Sequence, residues 1–150
     1  MFRGGNTINL DAKGRMALPT RYRESLREEC DGQLVLTIHR DGCLLMYPLP
    51  QWEELEHQLV RLPNQDKYTR NTVRMIMGYA TEVEMDGSGR ILIPPRLREF
   101  ARLEKRVELL ALGYRFEIWN KEAWDQGFEN WQEDEVNEAE VPEPLAKVIL

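Results

Sequence analysis

The chain carries the stretch LDAKGRMALP at residues 10–19 and the related stretch MDGSGRILIP at residues 85–94. Both stretches keep an Asp, a Gly, an Arg and a Pro in register at an offset of 75 residues, and two further arginines follow each. Such a tandem match indicates that one structural unit is duplicated. The duplication extends further, because Tyr47 and Trp52 align with Trp119 and Trp124 at an offset of 72. The second copy therefore lacks about three residues, which we expect to be missing from a loop, where deletions cost least.

Each copy of the motif predicts two short strands joined by a tight turn. Apolar and polar residues alternate on both sides of residues 11–14 and of residues 86–89. Asp11 and Asp86 can each accept a hydrogen bond from the backbone N–H two residues later. Gly14 and Gly89 can supply the positive φ of a type I turn that closes with a bulge. The pattern predicts a β-hairpin in each copy.

The remainder of each copy follows the same order of elements. Pro19 and Pro94 favour the start of a helix, since proline suits the first helical turn. Apolar periodicity predicts short amphipathic helices over residues 21–29 and 96–103. Two strands then complete each copy, at residues 34–38 and 43–47 in the first and at 107–112 and 115–119 in the second. Each copy is therefore predicted to be a β-β-α-β-β unit.

A unit of roughly 45 residues buries too little surface to be stable alone, so the two copies are expected to share a core. The predicted class is α+β, mainly β, with two pseudo-two-fold-related repeats and with linking and C-terminal helices. The predicted division is repeat 1 at residues 5–52, a helical linker at 53–80, repeat 2 at 81–124, and a C-terminal helix and acidic tail at 125–150.

Two apolar stripes at helical spacing lie outside the repeats. Such stripes either pack on the core or contact a neighbouring subunit, and the sequence leaves both alternatives open. The first stripe comprises Tyr68, Met75 and Tyr79, and the second comprises Trp124, Phe128 and Trp131.

Charge is distributed unevenly along the chain. The net charge is −6, but residues 1–27 hold six basic against two acidic residues, and residues 86–106 hold six against three. Residues 117–144 hold ten acidic residues and one lysine, so this acidic segment masks two basic segments that both carry the repeated motif. Because local charge governs contact with phosphate, a nucleic-acid partner remains compatible with the acidic total.

Several classes of function are disfavoured. Cys30 and Cys43 are predicted to be reduced, structural thiols, because neither has a neighbouring ligand at zinc spacing. His39 and His57 each stand alone, and no motif of a nucleophilic enzyme is present. We expect no enzyme activity, no cofactor and no bound metal. No apolar run suits a membrane span or a signal peptide, which predicts a cytosolic protein without a membrane partner.

The motif places Arg15 and Arg90 directly after a tight turn, with an aspartate close enough to orient the guanidinium. Arginine can address a phosphate, or the O6 and N7 edge of guanine, through two hydrogen bonds at once. A structural ion pair is the alternative for a single copy. Duplication of the motif, with arginines on the following helices, favours a surface that contacts phosphates. The predicted DNA-binding residues are Arg3, Lys13, Arg15, Arg21, Arg23, Arg90 and Arg96.

These features resemble the MraZ family, a tandem version of the AbrB-like swapped-hairpin DNA-binding fold. The resemblance rests on the two Asp-x-x-Gly-Arg motifs, the opening residues 1–4 and the segment at 44–52, and it covers essentially the whole chain. It implies a barrel core formed by the two swapped-hairpin repeats. The family signature maps to Asp11 with Arg15 and to Asp86 with Arg90.

The resemblance also implies a function. Family members are bacterial transcriptional regulators that bind repeated G-rich elements upstream of the division and cell-wall gene cluster, including their own gene. The implied partners are double-stranded DNA and further copies of the chain in a ring, and the implied location is the nucleoid. Because Lys13 occupies the first turn where Ser88 occupies the second, the first repeat is expected to make the main contact.

Two other interpretations remain open at this stage. The same fold could be an assembly or antitoxin-like interaction module that does not bind DNA directly, with its arginines paired to the acidic tail. An enzymatic interpretation would make residues 87–89 a phosphate-binding loop, but the lysine and the strand-to-helix context of such a loop are missing.

Overall fold

The structure, a computed structural model, describes residues 1–133 and 141–148. Within these residues the order β-β-α-β-β occurs twice, and each occurrence is followed by two helices. The strands are β1 (Phe2–Asn9), β2 (Arg15–Ala17), β3 (Gln33–Ile38), β4 (Leu44–Pro48), β5 (Thr81–Glu84), β6 (Arg90–Leu92), β7 (Arg106–Gly113) and β8 (Phe116–Asn120). The helices are α1 (Thr20–Cys30), α2 (Leu49–Leu59), α3 (Lys67–Gly78), α4 (Pro95–Phe100), α5 (Lys121–Glu133) and α6 (Glu143–Ala146).

Antiparallel strands dominate the fold, and the predicted α+β class is confirmed. Six strands form one sheet in the order β1-β7-β8-β4-β3-β5, and β2 pairs with β6 in a separate two-stranded ribbon. Within the described residues the large sheet stays open, with β1 and β5 at its edges. No barrel is closed among the described residues, so the predicted barrel core is not confirmed.

The strands of each predicted hairpin do not pair with each other. Instead β1 pairs with β7 of the other repeat, and β5 pairs with β3. The ribbon also crosses between repeats, since Met16 of β2 lies opposite Ile91 of β6. The simple hairpin prediction is wrong because alternation shows which face of a strand is buried but does not identify the neighbouring strand. What stays local is the turn itself.

The residues missing from repeat 2 come out of a helix. Both α1 and α4 begin directly after a proline, Pro19 or Pro94, but α1 has 11 residues and α4 has 6. The loop after α4 is longer than the loop after α1, so the expectation of a loop deletion is wrong for this part of the repeat. Because α4 keeps the start of α1 and is shortened at its end, its remaining apolar residues face the core as their counterparts in α1 do.

One core joins the two repeats, as expected. A single cluster of buried apolar residues combines the inner face of the large sheet, the ribbon, and helices α1 and α4. At its centre Met16 and Leu18 of the first repeat meet their counterparts Ile91 and Ile93, and all four are fully buried. Because each repeat supplies half of this cluster, neither half can bury its apolar surface alone.

The opposite face of the sheet is covered by the helices of the linker. A second buried cluster combines Val35, Leu45 and Tyr47 of the sheet with Trp52 of α2, and further residues of α2 and α3 pack against it. The hydroxyl of Thr37 donates a 2.6 Å hydrogen bond to a backbone carbonyl of α3, which ties that helix to β3. None of the described helices is long and apolar enough to cross a bilayer.

The two apolar stripes have different environments. In the first stripe Met75 and Tyr79 pack against the main core, whereas Tyr68 is exposed. In the second, on α5, Phe128 and Trp131 remain 47% and 53% exposed, and both contact the ring of Trp124. The acidic tail predicted to follow α5 lies largely outside the described residues, since the structure omits 134–140.

Core packing across the ribbon generates a stability prediction. We expect Ile91→Ala to lower the free energy of unfolding by about 2–5 kcal/mol, because it empties fully buried volume where the repeats meet. Leu92→Ala is the matched control, since Leu92 is half exposed on the other face of the same strand and should change stability by less than about 0.5 kcal/mol. Urea unfolding followed by circular dichroism measures both. Equal losses in the two variants would contradict the orientation of the ribbon.

Candidate nucleic-acid interface

The first turn, residues 11–15, is organised by one carboxylate. Oδ1 of Asp11 accepts hydrogen bonds from the backbone N–H groups of Lys13 and Arg15, both at 2.9 Å. Oδ2 accepts a third from Nε of Arg15 at 2.6 Å. Gly14 has a φ of 85°, which a residue with a side chain rarely adopts. The predicted turn chemistry is therefore confirmed, and it fixes the direction of the arginine side chain.

The second turn, residues 86–90, repeats this geometry. Asp86 accepts backbone hydrogen bonds from Ser88 and Arg90 at 2.9 Å, and Nε of Arg90 lies 3.1 Å from its second oxygen. Gly89 has a φ of 77°. In both turns the Nε atom of the arginine is bound to the aspartate, so the geometry leaves the two terminal nitrogens of each guanidinium for another partner.

The ribbon brings the two arginines to one face. In the antiparallel register Arg15 lies opposite Leu92, and Arg90 lies opposite Ala17. Side chains directly opposite each other share a face, and alternate residues of a strand do so too. Since Met16 and Ile91 between them point into the core, Arg15 and Arg90 both lie on the outer face. Their positions are diagonal across the ribbon, roughly 7–8 Å apart at the backbone.

Hydrogen bonding makes both turn carboxylates unusually acidic. The pKa of Asp11 falls to about 2, chiefly because its carboxylate accepts the backbone hydrogen bond from Arg15, with further lowering by the Arg15 side chain and the Lys13 backbone. The pKa of Asp86 is lowered by the equivalent contacts, the backbone hydrogen bond from Arg90 first. Both aspartates are therefore ionised at neutral pH and hold their arginines as ion pairs.

Each turn is also held by the other repeat. The carbonyl of Gly14 accepts a hydrogen bond from the Ile93 backbone N–H at 3.1 Å, and the carbonyl of Gly89 accepts one from Leu18 at 2.9 Å. Two helix arginines reinforce this contact. Nε of Arg23 donates to the Leu18 carbonyl at 2.6 Å, and Nε of Arg98 donates to the Ile93 carbonyl at 2.9 Å.

The structure brings together some of the predicted site residues and separates others. Lys13 is exposed on the first turn, beside Arg15. Arg23 is half-buried against the second turn rather than exposed. Arg3 lies near the opposite end of β1, roughly 20 Å of strand away from the first turn, so it does not join the two turns.

Two predicted residues occupy the starts of the helices. Arg21 on α1 contacts Asn6 of β1 and lies 4.6 Å above the ring of Tyr22, whose hydroxyl donates to the Arg3 carbonyl. Arg96, its counterpart on α4, is exposed and lies 3.7 Å above the ring of Tyr79. The structure therefore groups Arg21 with Arg3, away from the turns.

Two arginines with structural contacts to the turns were not among the predicted site residues. Arg98 was detectable in the sequence, because its distance from Pro94 matches that of Arg23 from Pro19. Arg27 also has a counterpart in the sequence, since Arg102 lies eight residues after Pro94 as Arg27 does after Pro19, but Arg102 lies beyond the end of α4. The guanidinium of Arg27 donates to the carbonyls of Asp86 and Gly87 at 3.3 Å.

The two turns therefore differ in their surroundings. Among the described residues, no side chain donates to the corresponding carbonyls of Asp11 and Ala12. A groove of about 490 Å³ instead lies beside the first turn, lined by Asp11, Gly14, Arg98 and Lys105 among others. The first turn thus lacks the arginine contact that the second receives from Arg27, and it carries Lys13 where the second carries Ser88.

Other candidate chemistry is limited. In the described part of the chain no group of three His, Cys, Asp or Glu residues could hold a metal ion. The two cysteines are free, and burial raises the pKa of the Cys43 thiol to about 12 and also raises that of Cys30. Thiols with raised pKa values are poor nucleophiles at neutral pH.

The acidity of the turn generates a prediction about pH. Because folding lowers the pKa of Asp11, its carboxylate stabilises the folded chain above about pH 4 and loses that effect as the pH falls through about 2. A carboxyl NMR titration should therefore show a midpoint near 2 for Asp11. As a control, Asp11→Asn should be less stable than the parent at pH 5, with the difference shrinking toward pH 2. A midpoint at the value of an unstructured Asp would contradict the turn geometry.

Comparison with known proteins identifies the family. The family model described as "MraZ protein, putative antitoxin-like" matches residues 1–75 and 75–142, one match for each repeat. A protein of Thioalkalivibrio sulfidiphilus named "Transcriptional regulator MraZ" is 51% identical over 150 residues, spanning all of both chains. A relative of the same name from Methylococcus capsulatus is 54% identical over 134 residues, which are 89% of this chain and 88% of the relative. Another, from Halorhodospira halophila, is 47% identical over 152 aligned positions that span all of both chains. The resemblance inferred from the two turns is thereby confirmed, and the chain belongs to the MraZ family.

Proposed function

We propose that this chain is a sequence-specific, DNA-binding transcriptional regulator without enzymatic activity. The observation that carries the proposal is the placement of Arg15 and Arg90 on one outer face of the ribbon, each held by an ionised aspartate. Relatives about half identical to the chain carry the name of a transcriptional regulator, which supports the same conclusion. The proposed location is the nucleoid in the cytoplasm.

The geometry suggests how the first turn would contact DNA. Asp11 binds Nε of Arg15, so the two terminal nitrogens remain to donate to O6 and N7 of a guanine. Arginine is the side chain best suited to this paired contact because its donors are planar and fixed. Exposed Lys13, two residues earlier, would contact a neighbouring phosphate as a point charge. A preference for guanine fits the proposed G-rich elements.

The second turn would contribute less than the first. Arg90 presents the same pair of terminal nitrogens, but Ser88 adds no positive charge at the turn. Arg96 is exposed at the start of α4 and can add a phosphate contact, as can Arg21 and Arg3 on the side of α1. Arg23 has a structural role beside its proposed DNA contact, because its Nε is bound to the Leu18 carbonyl and its guanidinium is packed on the second turn.

We expect Arg15→Ala to weaken specific DNA binding strongly while leaving the fold intact. Loss of one bidentate contact costs about 1–3 kcal/mol at each engaged site, and the loss multiplies where several subunits bind one DNA. A gel shift on the DNA upstream of the chain's own gene measures it. Arg15→Lys, which keeps the charge, should restore non-specific but not specific binding.

One result would contradict the assignment of Arg15 to a base contact. If Arg15→Ala binds as tightly as the parent, the first turn does not contact the bases. Each variant must keep the circular dichroism spectrum and the urea midpoint of the parent. We expect both to be kept because the ion pair of Asp11 and Arg15 is partly exposed and contributes little to stability.

An interaction module that does not bind DNA directly is the second candidate. The description of the matching family as antitoxin-like favours it, and its arginines would then bind acidic protein surfaces. Salt distinguishes the candidates, because each neutralised phosphate releases counterions and steepens the loss of DNA affinity as salt rises. A salt-independent or absent DNA interaction would favour the module.

The proposed targets are repeated elements upstream of the division and cell-wall gene cluster, where binding would repress that cluster and the chain's own gene. One subunit offers few basic contacts, which give weak affinity at physiological salt. A ring of subunits would hold tandem elements together, since each further contact becomes effectively intramolecular. The exposed aromatic residues of α5 are suited to the contact between subunits, because Phe128 and Trp131 do not pack into the core.

We expect Phe128→Glu to yield a folded monomer that loses the advantage of tandem DNA elements. Met75 is a poorer choice than Phe128, because it packs against the core and its replacement would disturb the fold. Gln126→Glu adds the same charge at an exposed position of the same helix and serves as the control. Mass measurement in solution and gel shifts on one, two and three elements test the pair.

The parent should gain affinity steeply with the number of elements and lose that gain when roughly 5 base pairs, half a helical turn, are inserted between them. The monomeric variant should gain little. A monomer that binds three elements as tightly as the parent would show that one subunit carries specificity by itself.

A further inference from the structure

We propose that Arg98 positions the first turn and Arg23 positions the second, so that the helix of each repeat sets the geometry of the other repeat's turn. Both are positioning residues, which act on the turns and need not touch DNA. This inference deepens the proposed function and rests on it only where DNA affinity is concerned.

Three contacts connect the first turn with Ile93 and Arg98 of the second repeat, and two of them are made by the turn itself. The backbone N–H of Ile93 donates to the Gly14 carbonyl, and Nε of Arg98 donates to the carbonyl of the same Ile93. The guanidinium of Arg98 then lies flat against Gly14, where an added Cβ would stand 2.5 Å from Cζ of Arg98. Gly14 is therefore required twice, by its positive φ and by the arginine that covers it.

The second turn has the same three contacts from the first repeat. Leu18 donates its backbone N–H to the Gly89 carbonyl, Nε of Arg23 donates to the Leu18 carbonyl, and an added Cβ at Gly89 would collide with Nε and Cδ of Arg23. Because the same set of contacts occurs independently in both repeats, we infer that it is not incidental. In both copies the arginine binds the residue immediately before the helix-starting proline.

The requirement is for arginine in particular. Its planar guanidinium can lie against a glycine while Nε, on the stem side, donates to a carbonyl. A lysine in the same place keeps the positive charge but has no Nε donor and no planar group. Arg98→Lys therefore separates positioning from charge, since a direct phosphate contact tolerates that exchange far better.

Hydrogen exchange tests the cross-repeat effect without DNA. In the full chain, Arg98→Ala and Arg98→Lys should accelerate exchange of the backbone N–H groups of residues 13–15 and of Ile93, and leave residues 88–90 at the parent rates. Arg23→Ala and Arg23→Lys should do the reverse. Arg74→Ala, an exposed arginine of α3, is the charge-matched control and should change neither turn.

These measurements can overturn the proposal. If Arg98→Ala leaves the first turn at the parent rates, or accelerates both turns equally through a general loss of stability, Arg98 does not position that turn. Full rescue by Arg98→Lys would show that charge alone matters, which also overturns it. Urea midpoints measured alongside distinguish local opening from global unfolding.

DNA affinity tests whether positioning of the first turn by Arg98 matters for binding. Arg98→Ala and Arg98→Lys should both lower affinity for the specific site by about tenfold, close to the loss of most of one bidentate contact, with the salt dependence of Arg98→Lys unchanged. Combined with Arg15→Ala, the Arg98 change should add little, because both act through the first turn. Full additivity would show that Arg98 acts elsewhere. If the parent itself fails to bind DNA, the proposed function fails while the exchange result still decides the positioning role.

Discussion

The exchange of backbone hydrogen bonds between the repeats is the constraint on which the structure depends. The carbonyl of each turn glycine accepts a hydrogen bond from the other repeat, donated by the backbone N–H of Ile93 or Leu18. Between these two contacts the ribbon buries Met16 against Ile91. The core therefore forms only when both repeats are present. The same exchange places the two turns at opposite ends of a ribbon only three residues long, so their separation is fixed by strand geometry rather than by a flexible linker.

The exchange also explains how an acidic chain can present a basic surface. The ribbon points its apolar residues inward and its arginines outward, while ten of the 26 acidic residues fall within residues 117–144 of the sequence. Each turn aspartate would repel a nearby phosphate if it were free. Hydrogen bonds from the backbone and the arginine keep that charge engaged and lower the pKa of the carboxyl, so the ion pair directs the guanidinium without leaving an uncompensated anion.

Sequence predicted the local geometry well and the long-range pairing poorly. The roles of Asp11 and Gly14 followed from turn chemistry that depends on a few consecutive residues, and most helices and strands began close to their expected positions. The alternation that predicted each strand did not specify its neighbour, so the pairing of β1 with β7 did not follow from the residue pattern. The hydrogen bond from Arg23 to the Leu18 carbonyl was also not predicted, because position in a basic helix indicates charge but not the partner of the guanidinium.

Duplication followed by divergence leaves the two turns unequal, and a change at a distance has produced much of the difference. Arg27 on α1 binds the outer carbonyls of the second turn, whereas α4 ends before Arg102, the sequence counterpart of Arg27, and a groove lies beside the first turn. Binding by Arg27 restricts the second turn, whereas the first has no such side-chain contact among the described residues and carries an exposed Lys13. Loss of one helical turn in the second repeat therefore frees the turn of the first, because each turn is bordered by the helix of the other repeat.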